Sequence, residues 1–138
     1  MGMGESFPVA IIKLLHILAA SITLSPVGMV SVCPGGQVLL TCERISGIVL
    51  YWDVSIPYLP SATTQRLVLN QGVLLSPEFR IDFTEFNITL TSESPLISQL
   101  LINNVTTEIN GSTIYCSEDG DETNAPMTAV NVKYKGKK

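Results

Sequence analysis

The sequence predicts an all-β sandwich, and three observations carry the prediction. Short apolar/polar alternations recur along most of the chain, which is the periodicity of half-buried strands. Turn residues punctuate them at short intervals, and no helical periodicity follows the amino-terminal segment. Finally, Cys42 and Cys116 each end such a run, with the single tryptophan, Trp52, inside another run between them. The chain has 138 residues, room for one domain plus a processing segment.

The amino-terminal segment is read as residues 1–24. Residues 9–24 are apolar apart from Lys13, His16 and small hydroxyls, the purest block runs from Leu14 to Leu24, and Ala19, Ala20 and Ser21 offer cleavage positions. A cation, a short apolar block and small residues form a secretory signal pattern. A retained membrane anchor needs about 20 apolar residues, more than this block provides.

The remaining domain is placed at 25–134. Ser25-Pro26-Val27-Gly28 opens it, and Cys33-Pro34-Gly35-Gly36 is a turn. Gln37 to Glu43 alternates with Val38, Leu40 and Cys42 on one face. Val49 to Val54 sends Leu50, Trp52 and Val54 one way and Tyr51 and Asp53 the other. A proline-bounded loop, Pro57 to Pro60, leads to two short strands, Gln65–Asn70 and Gly72–Leu75. Phe79 to Phe86 is ambiguous, whereas Asn87 to Thr91 and Leu96 to Val105 read as strands. Asn110-Gly111 turns into Ser112–Ser117, an acidic loop follows at Glu118–Glu122, and Thr128 to Tyr134 closes the domain with Val130, Val132 and Tyr134 on one face. Eight or nine strands are expected. Residues 135–138 form a basic tail or linker stub.

Between Met29 and Tyr134 the chain resembles an immunoglobulin-superfamily domain. Gly36-Gln37-Val38-Leu39-Leu40-Thr41-Cys42 is similar to the family's second strand, and Trp52 occupies the place of its third-strand tryptophan. Leu100-Leu101-Ile102-Asn103-Asn104-Val105 is similar to its Leu-x-Ile-x-x-Val pattern, and Asn110 to Cys116 falls on its Asp-x-Gly/Ala-x-Tyr-x-Cys segment. The resemblance implies an immunoglobulin-like antiparallel β-sandwich with one inter-sheet disulfide, Cys42–Cys116, packed against Trp52. The two strands after Trp52 favour the variable type, which carries two additional edge strands. One departure stands out: Ile114, not tyrosine, holds the corner position two residues before Cys116. Ile114 is expected in the core and Tyr115 outside.

Composition narrows the chemistry. The only histidine, His16, lies in the signal segment, which leaves no Ser-His-Asp or Cys-His arrangement and no histidine metal site in the domain. No phosphate-cradling or dinucleotide-binding loop is present. The chain is therefore expected not to be an enzyme and to need no cofactor or metal. Between Ser25 and Val132 only Arg44, Arg66 and Arg80 stand against eleven of the twelve acidic residues. Lysines cluster in the tail, so the body lacks the basic face that nucleic acid requires.

What remains are surface features. Three N-glycosylation sequons start at Asn87, Asn104 and Asn110. Their positions place glycans on the sheet opposite Tyr115. Tyr51, Asp53 and Tyr115 are expected as outward neighbours on one sheet, a candidate contact face extended by Glu118, Asp119 and Asp121. Exposed tyrosines are enriched at interfaces, although single exposed aromatics are ordinary. For the acidic loop a solvated hairpin tip is favoured over contact with a basic partner, and a calcium ion held by Asp119, Asp121 and Glu122 comes last because the spacing does not match a calcium loop. Cys33 has no evident partner, which leaves an intermolecular disulfide, a partner outside this sequence, or a free thiol.

The resemblance implies a secreted or surface-displayed recognition module that binds an extracellular protein. The alternative is a spacer domain of a longer surface receptor or adhesion protein. A soluble regulator disulfide-linked through Cys33 is a third option.

Overall fold

A computed structural model describes residues 21–57 and 64–133. The expected signal residues up to Ala20, most of the Pro57–Pro60 loop, Tyr134 and the basic tail lie outside the described residues.

The alternations noted above become strands because each must bury one face. The described chain forms β1 (Ile22–Ser25), β2 (Gly28–Val32), β3 (Val38–Arg44), β4 (Val49–Ser55), β5 (Thr64–Asn70) and β6 (Val73–Leu75). It continues with β7 (Glu78–Ile81), β8 (Thr84–Glu93), β9 (Leu96–Asn103), β10 (Thr113–Ser117) and β11 (Met127–Val132). Two single 3₁₀ turns, Thr107–Ile109 and Glu122–Asn124, interrupt the connections. Among the described residues no helix is long and apolar enough to cross a membrane.

The strands form a five-stranded sheet in the order β1-β3-β9-β8-β7 and a six-stranded sheet in the order β2-β11-β10-β4-β5-β6. Together they make an immunoglobulin-like β-sandwich. All pairings are antiparallel except β2 with β11, which is parallel. The exception arises because the chain changes sheets at Pro26: β1 pairs with β3 in one sheet and β2 joins the edge of the other.

Eleven strands replace the eight or nine expected, for two reasons. The opening stretch is split across both sheets, and Phe79–Phe86 is two strands around a turn at Asp82, whose φ is +51°. The fold also begins upstream of residue 25. Ile22–Ser25 is a paired strand and Leu24 is buried in the core.

The core is the alternation made physical. Val38, Leu40 and Cys42 from β3, with Leu100 and Ile102 from β9, face Leu50, Trp52 and Val54 from β4 and Ile114 and Cys116 from β10. Cys42 lies in one sheet and Cys116 in the other, and the Cys42–Cys116 disulfide joins them at a Cα–Cα distance of 6.4 Å. Ile114 is fully buried in this core. Trp52 fills the centre, and its indole N–H, which would otherwise be an unpaired buried donor, donates to Ser98 Oγ at 3.0 Å. Ser98 in turn donates to the Thr89 carbonyl at 2.8 Å, so a small polar chain closes inside the core.

Candidate functional site

The outer face of the six-stranded sheet holds the predicted contact residues. β4 and β10 pair so that Tyr115 lies opposite Asp53 and Ser117 opposite Tyr51. Tyr51 and Tyr115 are half-buried on this outer face.

Asp53 corrects the expectation. It points outward by alternation but is completely buried, because Arg66 closes over it. β4 and β5 pair Asp53 directly with Arg66. The guanidinium grips the carboxylate with two hydrogen bonds, Nε to Oδ1 at 2.7 Å and NH2 to Oδ2 at 2.9 Å. Such a bidentate pair is strong and geometrically specific. Asp53 is therefore not an accessible contact; the surface presented is the far side of Arg66, whose side chain is 45% exposed.

Arg66 organises more than the ion pair. Its carbon Cζ sits 4.9 Å from the Tyr51 ring centroid, a cation–π arrangement. Its NH2 also donates to the Gly120 carbonyl at 2.8 Å, which tethers the acidic β10–β11 loop to β5. Gly120 has φ +84°, and a Cβ there would meet the guanidinium at 2.8 Å, so the backbone approach requires glycine. The Asp53 hydrogen bond holds the guanidinium proton more tightly than usual.

The acidic loop is an ordered turn whose Asp119 and Asp121 remain exposed to solvent. Gly120 N–H donates to the buried Ser117 hydroxyl at 3.0 Å. Asp121 caps the 3₁₀ turn, accepting from Thr123 N–H at 3.0 Å and from the Thr123 hydroxyl at 2.7 Å. Those bonds stabilise its charged form and lower its pKa. Glu122 behaves oppositely: burial, then the neighbouring Asp53 charge and a hydrogen bond to Asp53, raise its pKa against the pull of Arg66. Glu118 turns away, accepting from Ser21 Oγ and lying 3.8 Å from Arg44. Asp119 is exposed and accepts from Asp121 N–H at 2.9 Å. Among the described residues no group of three His, Cys, Asp or Glu side chains converges on a metal position.

Two sequons go with the five-stranded sheet as expected, but Asn110 does not: it stands at the end of the six-stranded sheet that carries Tyr115. Asn87 is on β8 in the five-stranded sheet, with its amide donating to Glu78 Oε1 at 2.9 Å. Asn104 follows β9 and is exposed. Asn110 precedes β10 and is exposed, its Oδ1 accepting from Val132 N–H at 2.8 Å. Cys33 is exposed in the turn after β2.

Arg66, Gly120 and Ser98 were not singled out from the sequence. A signal existed for Arg66: an aspartate inside the apolar run Ile48–Val54 calls for a cation in an adjacent strand, and Arg66 is the only cation between Arg44 and Arg80. Gly120 and Ser98 carried none, since their roles depend on which strands become neighbours.

No family model and no curated protein matches the chain. Many chains of solved structures do match it. One comes from a structure described as the structural basis of T cell specificity and activation by the bacterial superantigen toxic shock syndrome toxin-1. It is 16% identical, with a TM-score of 0.50, and the match covers 81% of this chain and 98% of that one. At that identity the likeness concerns the fold alone.

Proposed function

We propose that the protein is an extracellular recognition module of the immunoglobulin superfamily, of the variable type, which binds another protein through the outer face of its six-stranded sheet and the β10–β11 loop. The strand order supports the type, because β5 and β6 extend the sheet beyond β4 as the two additional strands of variable domains do. The observation that carries the contact reading is the Arg66 clamp. It buries Asp53, stacks on Tyr51 and holds Gly120, presenting tyrosines, a guanidinium and an ordered loop as one surface. Tyr and Arg are enriched among the few residues that carry most of an interface's binding energy.

The secretory part of the proposal assigns cleavage around Ala19-Ala20-Ser21, upstream of β1, so that Leu24 stays with the folded domain. The disulfide suits an oxidising compartment.

The test is a screen of the secreted, glycosylated domain, displayed multivalently, against extracellular proteins including itself. Alanine at Tyr51 and Tyr115 is expected to weaken the identified complex by about tenfold each, the effect of losing roughly 1.4 kcal/mol. Unchanged affinity in both variants removes this face from the proposal.

A further inference from the structure

Phe83 is the most exposed of the large apolar side chains among the described residues, at 68%. It projects from the turn between β7 and β8, beside Asn104. The Asn104 amide Nδ2 donates to the Phe83 carbonyl at 3.0 Å, so the sequon asparagine and the aromatic share one corner. That corner is built firmly. Asn104 sits in the left-handed region at φ +54°, where asparagine is one of the few tolerated residues. Its carbonyl accepts from the buried Thr84 hydroxyl at 2.9 Å, and the same hydroxyl lies 2.9 Å from that of Thr106, the third residue of the sequon. The other sequon asparagines differ: Asn87 is bonded to the Glu78 carboxylate, and Asn110 to the Val132 backbone.

We propose that Asn104 carries an N-linked glycan whose first N-acetylglucosamine stacks on Phe83 and covers it; this rests on the secretory reading above. The linkage forms when Nδ2 bonds to C1 of an N-acetylglucosamine delivered on a polyprenyl-pyrophosphate-linked oligosaccharide. The C1–oxygen bond breaks, the pyrophosphate leaves, and one Nδ2 proton passes to the transferase's base. The second Nδ2 proton remains available to the Phe83 carbonyl. The β-linked sugar presents one face of axial C–H bonds, the partner suited to the electron-rich face of a phenyl ring. Because Thr106 is engaged with Thr84 in the fold, sugar transfer has to precede closure of this corner.

The full chain is expressed in a secreting eukaryotic cell and its glycopeptides are mapped. Thr89→Ala and Ser112→Ala then remove the other two sequons. Thr89 is exposed, and the buried Ser112 hydroxyl has no partner, so neither change disturbs a hydrogen-bonded side chain. Trimming to a single N-acetylglucosamine is expected to retain a melting temperature about 3–6 °C above that of the sugar-free protein, and Phe83→Ser to erase that gap. Amidase removal leaves an aspartate at position 104 in both backgrounds, so the difference between them isolates the sugar–ring contact. An equal gap in Phe83→Ser overturns the stacking. Sugar on Asn87 or Asn110 but none on Asn104 overturns the site and leaves the secretory reading standing, whereas no sugar on any of the three overturns both.

Discussion

Asp53 stands among apolar neighbours on β4, and a carboxylate with no exposed surface is stable only when its charge is matched. Arg66 supplies the match, so Arg66→Met is expected to cost about 3 kcal/mol, the range for a buried charge stripped of its partner. Adding Asp53→Asn to that variant should recover part of the loss, and a urea double-mutant cycle measures how much. Little loss in Arg66→Met would mean that water reaches Asp53 once the guanidinium is gone. Glu122 adds a pH dependence to the same cluster. Its folded pKa is raised, so the folded state holds that proton more tightly than the unfolded chain does. The associated stability is present below the unfolded pKa and is lost as pH rises through the folded value. Asp121 opposes it: its pKa is lowered, so its contribution is present above the unfolded value and is lost as pH falls through the folded one. Glu122→Gln removes only the first effect and keeps an amide donor facing Asp53. Its melting temperature relative to the parent protein should therefore be higher at about pH 7 than at about pH 4.

Among the elements, β1 shows how a domain boundary follows from burial. Its pairing with β3 and the buried Leu24 make Ile22–Ser25 part of the sandwich, although in sequence the residues continue an apolar leader. A chain beginning at Ser25 should consequently be less stable than one beginning at Ser21. The difference should be at least the roughly 2–3 kcal/mol of losing a core leucine, read from denaturant midpoints. The β10–β11 loop is the second such element. Gly120→Ala forces a side chain into positive φ and against Arg66, which should cost about 1–3 kcal/mol and loosen the loop. Protection of the loop amides against hydrogen exchange reports it. Period-two alternation made β3, β4, β9, β10 and β11 legible, because the inward face of each is mostly apolar, broken in the core only by Ser98 on β9 and Thr128 on β11. It could not resolve Phe79–Phe86, where the turn uses Asp82 and Phe83 without glycine or proline. The same period turned Asp53 outward correctly, yet alternation says nothing of what closes over an outward residue. That knowledge lies in the register of β4 against β5, which no local pattern encodes.

For the molecule as a whole, the two sheets differ in what they offer. The five-stranded sheet carries the Asn87 sequon on its surface, while the six-stranded sheet carries the Arg66 cluster and the tyrosines. The disulfide at their centre, with Trp52 beside it in the core, makes the pair a single cooperative unit. Because its cysteines are 74 positions apart, removing it frees a long loop in the unfolded state. The chain-entropy model assigns that about 4–5 kcal/mol. Typical domains retain about 5–15 kcal/mol in total, so the loss is a large fraction of stability. Replacing Cys42 and Cys116 together by alanine should shift the urea midpoint far downward. The slope of the transition should steepen as well, since the unfolded chain exposes more surface once uncrosslinked. Cys33→Ser is the internal control: the thiol is exposed in a turn and contributes no core contact, so its midpoint should match the parent's. If the double alanine variant unfolds within about 1 kcal/mol of the parent, the sandwich is held by packing around Trp52 alone. In that case the bond between the sheets is dispensable to the fold.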